Sequence, residues 1–150
     1  EIILKEAISR TSLGCLRPTL IYGKNDPHNG YGPNSFNRKI KNNENVVLFG
    51  KGEEIRDHIW VGDVANLALK MIQKKSYGSL NAVSGDGITF KEIASLLKTY
   101  YNSKSKIIET KRDKPMPHNG FRQFDNSNIF KAFPDVKIKK FDEGMKKLVD

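Results

Sequence analysis

The chain has 150 residues, 37% of them apolar, with a mean hydropathy of −0.56. That length carries one domain with a core, while the polarity excludes a run of about 20 apolar residues that could span a bilayer and the apolar share excludes a disordered chain. The net charge of +9 favours an anionic partner: nucleic acid, an anionic membrane surface or a phosphorylated small molecule.

Residues 1–11 read as a helix, with Ile3, Ala7 and Ile8 at helical spacing. Residues 15–22 read as a buried strand, although Pro18 within it donates no ladder hydrogen bond. A long loop with Gly23, Pro27, Gly30, Gly32 and Pro33 follows, then a short helix over 35–41. Val46–Phe49 and Ile55–Val61 flank Gly50-Lys51-Gly52, which predicts two strands around a glycine turn. Asp63 is the expected cap of a helix whose face is Val64, Leu67, Ala68, Met71 and Ile72. Leu80–Val83 is a short strand ended by Gly85-Asp86-Gly87. Thr89 and Glu92 have capping-box spacing and open a helix with Phe90, Ile93, Leu97 and Tyr100 on one face. A strand over 106–109, a loop over 112–120 and helices over 126–133 and 141–149 complete the chain. Alternating strands and helices make the class α/β, or α+β if the small strands pair antiparallel. There is no internal repeat and no low-complexity segment.

Few residues stand out chemically. Arg56 follows the glycine turn and enters a strand, so its planar fork of donors is held in a set direction and suits phosphate oxygens. A salt bridge to Asp57 or another carboxylate is the plainer role for it. Asn34, at the end of the glycine-rich loop, can donate to and accept from phosphate or hydroxyl groups, or cap the helix that follows. Phe36 and Phe49 are core candidates that could instead pack against a base. The single Cys15 excludes an intrachain disulfide and sits in an apolar run as a buried thiol. His28, His58 and His118 have no ligand spacing, so no metal site is expected.

The text LRPTLIYG over residues 16–23, followed by LFGKGEEIRDHIWVGDVAN over 48–66, resembles the C-terminal half of the extended short-chain dehydrogenases/reductases, the NAD(P)-dependent nucleotide-sugar epimerases and dehydratases. The resemblance covers roughly residues 1–100. It implies the last part of a Rossmann-type sheet over 1–23 and mainly a small α/β substrate-binding domain over 24–150, with some elements returning to the sheet. It implies a nucleotide-sugar substrate, its diphosphate gripped by Asn34, Arg56 and an arginine of the C-terminal loop, Arg112 or Arg122. Arg122 is preferred slightly because Phe121 and Phe124 flank it. Asp57 would then be structural. Thr19 and Tyr22 would face the nicotinamide. Leu20 stands where many epimerases have Asn, which counts against a standard UDP-hexose 4-epimerase.

The family's G-x-x-G-x-x-G is not in these 150 residues, nor is its Y-x-x-x-K ahead of the R-P-x-x-x-Y-G text at 17–23. NAD or NADP is therefore expected to be bound mainly by an N-terminal half. Glu1 would be the Glu of Y-x-x-x-K-x-x-x-E, placing the catalytic Tyr and Lys just before residue 1. No catalytic residue is assigned within the chain, which is expected to be inactive alone. The family further implies a cytoplasmic homodimer in the full-length protein, with Ile2, Ile3, Leu4 and Ile8 on the dimer face or over the sheet. The rival class is a basic module for RNA or DNA, against which stands the absence of an RNP, KH or helix-turn-helix pattern. A third is a non-catalytic interaction protein of the same fold.

Overall fold

The computed structural model describes residues 1–8, 13–27 and 29–150. The order is α1 (Ile2–Ala7), β1 (Gly14–Pro18), β2 (Leu20–Tyr22), α2 (Pro33–Lys41), β3 (Val46–Phe49), β4 (Ile55–Trp60), α3 (Val61–Gln73), β5 (Gly78–Ala82), β6 (Gly87–Thr89), α4 (Phe90–Tyr100), β7 (Ile107–Thr110), a 3-10 turn (Pro117–Gly120), β8 (Phe121–Arg122), α5 (Ser127–Ala132) and α6 (Phe141–Val149). The class is α/β, with mostly parallel pairing.

The single strand expected over 15–22 is two strands. β1 pairs in parallel with β5, and β2 pairs in parallel with β4. Thr19 is the break between them. Its amide donates to Ala82 O at 3.0 Å and its hydroxyl to Asp57 O at 3.1 Å. One residue thus bonds both neighbours as the strand changes partner. Pro18 is tolerated because it ends β1.

β4 is the wall shared by two cores. Ile59 packs in a cluster with Leu67, Met71, Ala82, Val83, Ile129 and Phe133. His58 points the other way, its ring 5.9 Å from that of Phe90 and 5.7 Å from that of Phe141. That side holds the larger cluster, with Tyr22, Phe36, Ile40, Leu48, Ile93, Leu97 and Met145. Alternate residues facing opposite cores is what the period of two dictates for a strand covered on both faces.

Several local expectations change. α1 ends at Ala7, with Ile8 extended, and residues 9–12 lie outside the described residues. β3 and β4 are not a hairpin. β3 pairs in parallel with β7, and β4 pairs with β2, β6 and β8. The glycine turn reverses the chain locally and hands the two strands to different sheets. Asn34 does not cap α2. Gly32 is the cap, because Pro33 with its preset φ occupies the first helical position. Asp63 likewise sits inside the first turn of α3, whose cap is Trp60. Its buried carboxylate accepts from Lys139 N and from Lys139 Nζ, each at 2.8 Å. On α3, Leu67 and Met71 are buried, but Ile72 is exposed. The capping box of Thr89 and Glu92 forms as expected.

Candidate functional site

A cleft of about 410 Å³ opens where β1 gives way to β2. It is lined by Arg17, Pro18, Thr19 and Leu20 at the switch, by Asn81 and Val83 at the end of β5, and by Arg56 of β4, Arg122 of β8 and Phe124 just beyond it. Strands that part company leave a crevice beyond their carboxyl ends, and this is where open α/β sheets place ligands.

Arg56 and Arg122 are brought together by register. β8 lies parallel to β4 with Arg56 paired to Arg122, and paired residues of adjacent strands face the same way. Arg56 is 7% exposed. Nη1 donates to Ile55 O at 2.7 Å and Nη2 to Pro117 O at 2.9 Å, while Nη2 is also ion-paired with Glu54. Its carboxylate partner is Glu54 and not Asp57. Arg122 is exposed. It hydrogen-bonds His118 Nε2 at 2.8 Å and lies 5.4 Å above the Phe124 ring.

Asp57 faces elsewhere. Its carboxylate accepts from Ser84 N (2.9 Å), Ser84 Oγ (3.0 Å) and Gly85 N (2.8 Å), the structural role expected of it. Arg17, also lining the cleft, donates from Nε to Glu1 at 2.9 Å, and that contact raises its pKa.

Asn34, Arg112 and Tyr22, also expected at the site, are not among the residues that line the cleft. Asn34 accepts from Gly23 N at 3.2 Å and donates to Asp26, so it staples the ends of the glycine-rich loop. Arg112 donates from Nη2 to Glu54 Oε2 at 3.0 Å and to Phe49 O at 3.2 Å. Of the pair expected on the cofactor side, Thr19 lines the cleft. Tyr22 is 1% exposed, with its hydroxyl donating to Phe141 O at 3.2 Å. Burial raises its pKa strongly, so it is a neutral core phenol. Phe36 is a core residue, whereas Phe49 is 53% exposed beside Tyr31. Glu54 was not singled out from the sequence. The signal available was an acid two residues before an arginine, a spacing that puts both on one face of an extended chain.

His58 lies two residues along β4 from Arg56, 2% exposed, with Nδ1 lacking a hydrogen-bond partner. Burial, helped by the charge of Arg56 and opposed by a backbone hydrogen bond to Arg56, lowers its pKa to about 4. The unfolded chain takes up a proton below about pH 6.5 that the folded chain refuses. Stability should therefore be full above pH 6.5 and fall progressively toward pH 4, by about 3 kcal/mol in total from this residue. Denaturation midpoints across that range should show the fall in the native protein and a flatter profile in His58→Phe. Equal slopes would reject this account. Among the described residues no cluster of three metal-ligating side chains occurs, and His28 lies outside them.

Residues 4–82 match the NAD dependent epimerase/dehydratase family. The chain belongs to that family. Within it, a GDP-L-fucose synthase of Arabidopsis thaliana is 29% identical over 99 residues, 60% of this chain and 31% of that protein. The UDP-glucose 4-epimerase of Thermotoga maritima, solved with UDP-glucose, superposes with a TM-score of 0.76 at 24% identity, over 91% of this chain and 44% of that one. A GDP-L-fucose synthetase of Naegleria fowleri, solved with NADP, gives 0.73 at 18%, over 89% and 43%. The chain thus spans about a third of the synthase and under half of either structure. Epimerase-family members share its fold. Among the described residues no helix is long and apolar enough to cross a membrane.

Proposed function

We propose that this chain is the substrate-binding half of an NAD(P)-dependent nucleotide-sugar epimerase, dehydratase or reductase. The cleft takes the diphosphate of the nucleotide sugar, with Arg56 and Arg122 as its anion ligands. The observation that carries this is the pairing of the two arginines in register on one wall of a crevice at a strand switch. Two guanidinium groups at fixed spacing offer several charge-assisted donors to a diphosphate. The relatives bear names and ligands of this class: GDP-L-fucose, UDP-glucose and NADP. Phe49, exposed near Arg112, is available to stack on the base.

NAD or NADP, when bound, supplies hydride transfer to and from a sugar carbon. Thr19 offers a rim for the nicotinamide at the cleft. The chain contains no glycine fingerprint for the pyrophosphate, so most of the cofactor grip is assigned to sequence outside these residues. On this reading the chain does not catalyse alone. Its residues 1–23 close the Rossmann-type domain and 24–150 form mainly the substrate domain, with β5 returning to pair β1. The full-length protein is read as a cytoplasmic homodimer, for which exposed Ile2, Ile3 and Leu4 supply an apolar face.

The test uses the full-length protein and calorimetric titration with UDP and GDP sugars. Arg56→Ala and Arg122→Ala should each weaken binding roughly tenfold or more, the loss of one charge-assisted contact of about 1.5 to 3 kcal/mol. Arg122 is the cleaner arm, because it is exposed and its loss should leave the melting temperature unchanged. Arg56→Lys should rescue only in part, since it keeps charge but loses the fork. Unaltered affinity in both alanine variants would remove the diphosphate from this cleft.

A further inference from the structure

Glu54 is 8% exposed and lies between two guanidinium groups. One carboxylate oxygen is ion-paired with Arg56 Nη2, and the other accepts from Arg112 Nη2 at 3.0 Å. Three further hydrogen bonds from the cluster reach backbone carbonyls. Arg112 bonds Phe49 O, at the entry to the glycine turn. Arg56 bonds Ile55 O on its own strand and Pro117 O in the loop that leads to β8. One carboxylate therefore ties the turn, β4 and the segment that carries Arg122.

The buried charges are uneven. Two guanidinium groups share one buried carboxylate, and the further acid whose charge meets Arg112, Glu53, is exposed. Arg112 Nε–H is buried without a partner. A buried cationic cluster with spare donors is stabilised by an anion, and a carboxylate with both oxygens engaged holds its partners to one geometry. The glycine turn makes this possible. Gly52 has φ +70°, and a Cβ there would lie 3.0 Å from the Lys91 backbone nitrogen, so the turn that delivers Glu54 favours glycine at that point.

We propose that Glu54 is the positioning residue of the diphosphate site, fixing the Arg56 guanidinium against the cleft by holding it and Arg112 on its two oxygens. This rests on the reading of the cleft as a diphosphate site. Glu54 itself does not touch the ligand. It orders Arg56 before binding, so that little side-chain freedom is lost when the phosphate arrives.

The test compares Glu54→Ala, Glu54→Gln and Arg56→Ala in the full-length protein. Two readouts are taken: affinity for UDP and GDP against uridine and guanosine, and nitrogen-15 NMR of hindered rotation in the Arg56 guanidinium without nucleotide. Glu54→Ala should free that rotation and weaken UDP and GDP roughly tenfold, with nucleoside affinity unchanged. Glu54→Gln, which keeps an acceptor for one arginine only, should fall between, and it serves if the alanine variant does not fold. A purely structural role would lower stability and leave the diphosphate-to-nucleoside ratio where it was, which overturns the proposal. So would an Arg56 guanidinium that stays held in both Glu54 variants. If Arg56→Ala weakens UDP and Glu54→Ala does not, Glu54 fails while the cleft stands. If Arg56→Ala is also silent, the diphosphate reading falls and takes this proposal with it.

Discussion

Asp57→Ala should cost about 3 kcal/mol or more of stability, the largest single loss expected at a polar side chain here. The carboxylate is 1% exposed. It satisfies two backbone amides, Ser84 N and Gly85 N, and the Ser84 hydroxyl, all within 3.0 Å. Truncation leaves those donors facing a methyl group, and each buried amide without a partner costs about 1 to 3 kcal/mol. The contact also joins β4 to the turn between β5 and β6, which are otherwise separate in sequence. Asp57→Asn should do less harm, because its amide oxygen still accepts, though its NH2 group opposes the remaining donors. Chemical denaturation of the two variants beside the native protein measures this. An unchanged midpoint for Asp57→Ala would mean that water replaces the carboxylate, and the structural account would be lost.

Gly144→Ala should destabilise by about 2 to 3 kcal/mol through overpacking. Gly144 lies inside α6, where the same change would ordinarily stabilise a helix by about 1 kcal/mol. Here an added Cβ would collide with Tyr22 Oη and lie 2.8 Å from Tyr22 Cζ. Tyr22 cannot yield. Its ring stands 5.5 Å from that of Trp60 and 5.0 Å from that of Phe141, and its hydroxyl is bonded to Phe141 O. The glycine therefore serves close approach of helix to strand. Adding Tyr22→Phe to Gly144→Ala removes the nearest atom and should recover part of the loss. Thermal melts of the two single variants and the double variant give the coupling directly. A Gly144→Ala protein that melts higher than the native one would show that α6 shifts freely, contrary to this packing.

The elements legible from the sequence were those whose signal is local. The capping box at Thr89, the four apolar residues of β3 and the helix from Phe141 to Val149 depend on spacing and propensity within a few residues, and they form as read. The ordered motifs around Arg17 and Arg56 were enough to point to the family, because a motif survives in the text whatever the chain does in space. Boundaries were less secure. Gly32 and Trp60 cap their helices two and three residues ahead of the polar residues expected to do so, since the preset φ of Pro33 or the end of a strand can start a helix without a side-chain cap.

Pairing was decided only in three dimensions. A glycine turn announces a reversal, but nothing near it in sequence says that β3 will take β7, some 60 residues on, while β4 takes β2, β6 and β8. The same holds for the site. Arg56 was visible as a guanidinium at a set place, yet its Pro117 carbonyl and its register partner Arg122 lie more than 60 positions away. Asn34 and Arg112 carry equally suitable donors, and packing turned them to Asp26 and Glu54 instead of the cleft. Composition and local pattern thus determined which groups this protein has and the family it belongs to. Which of those groups share a cleft was settled by long-range register and burial, because those energies arise only when distant segments exclude water together.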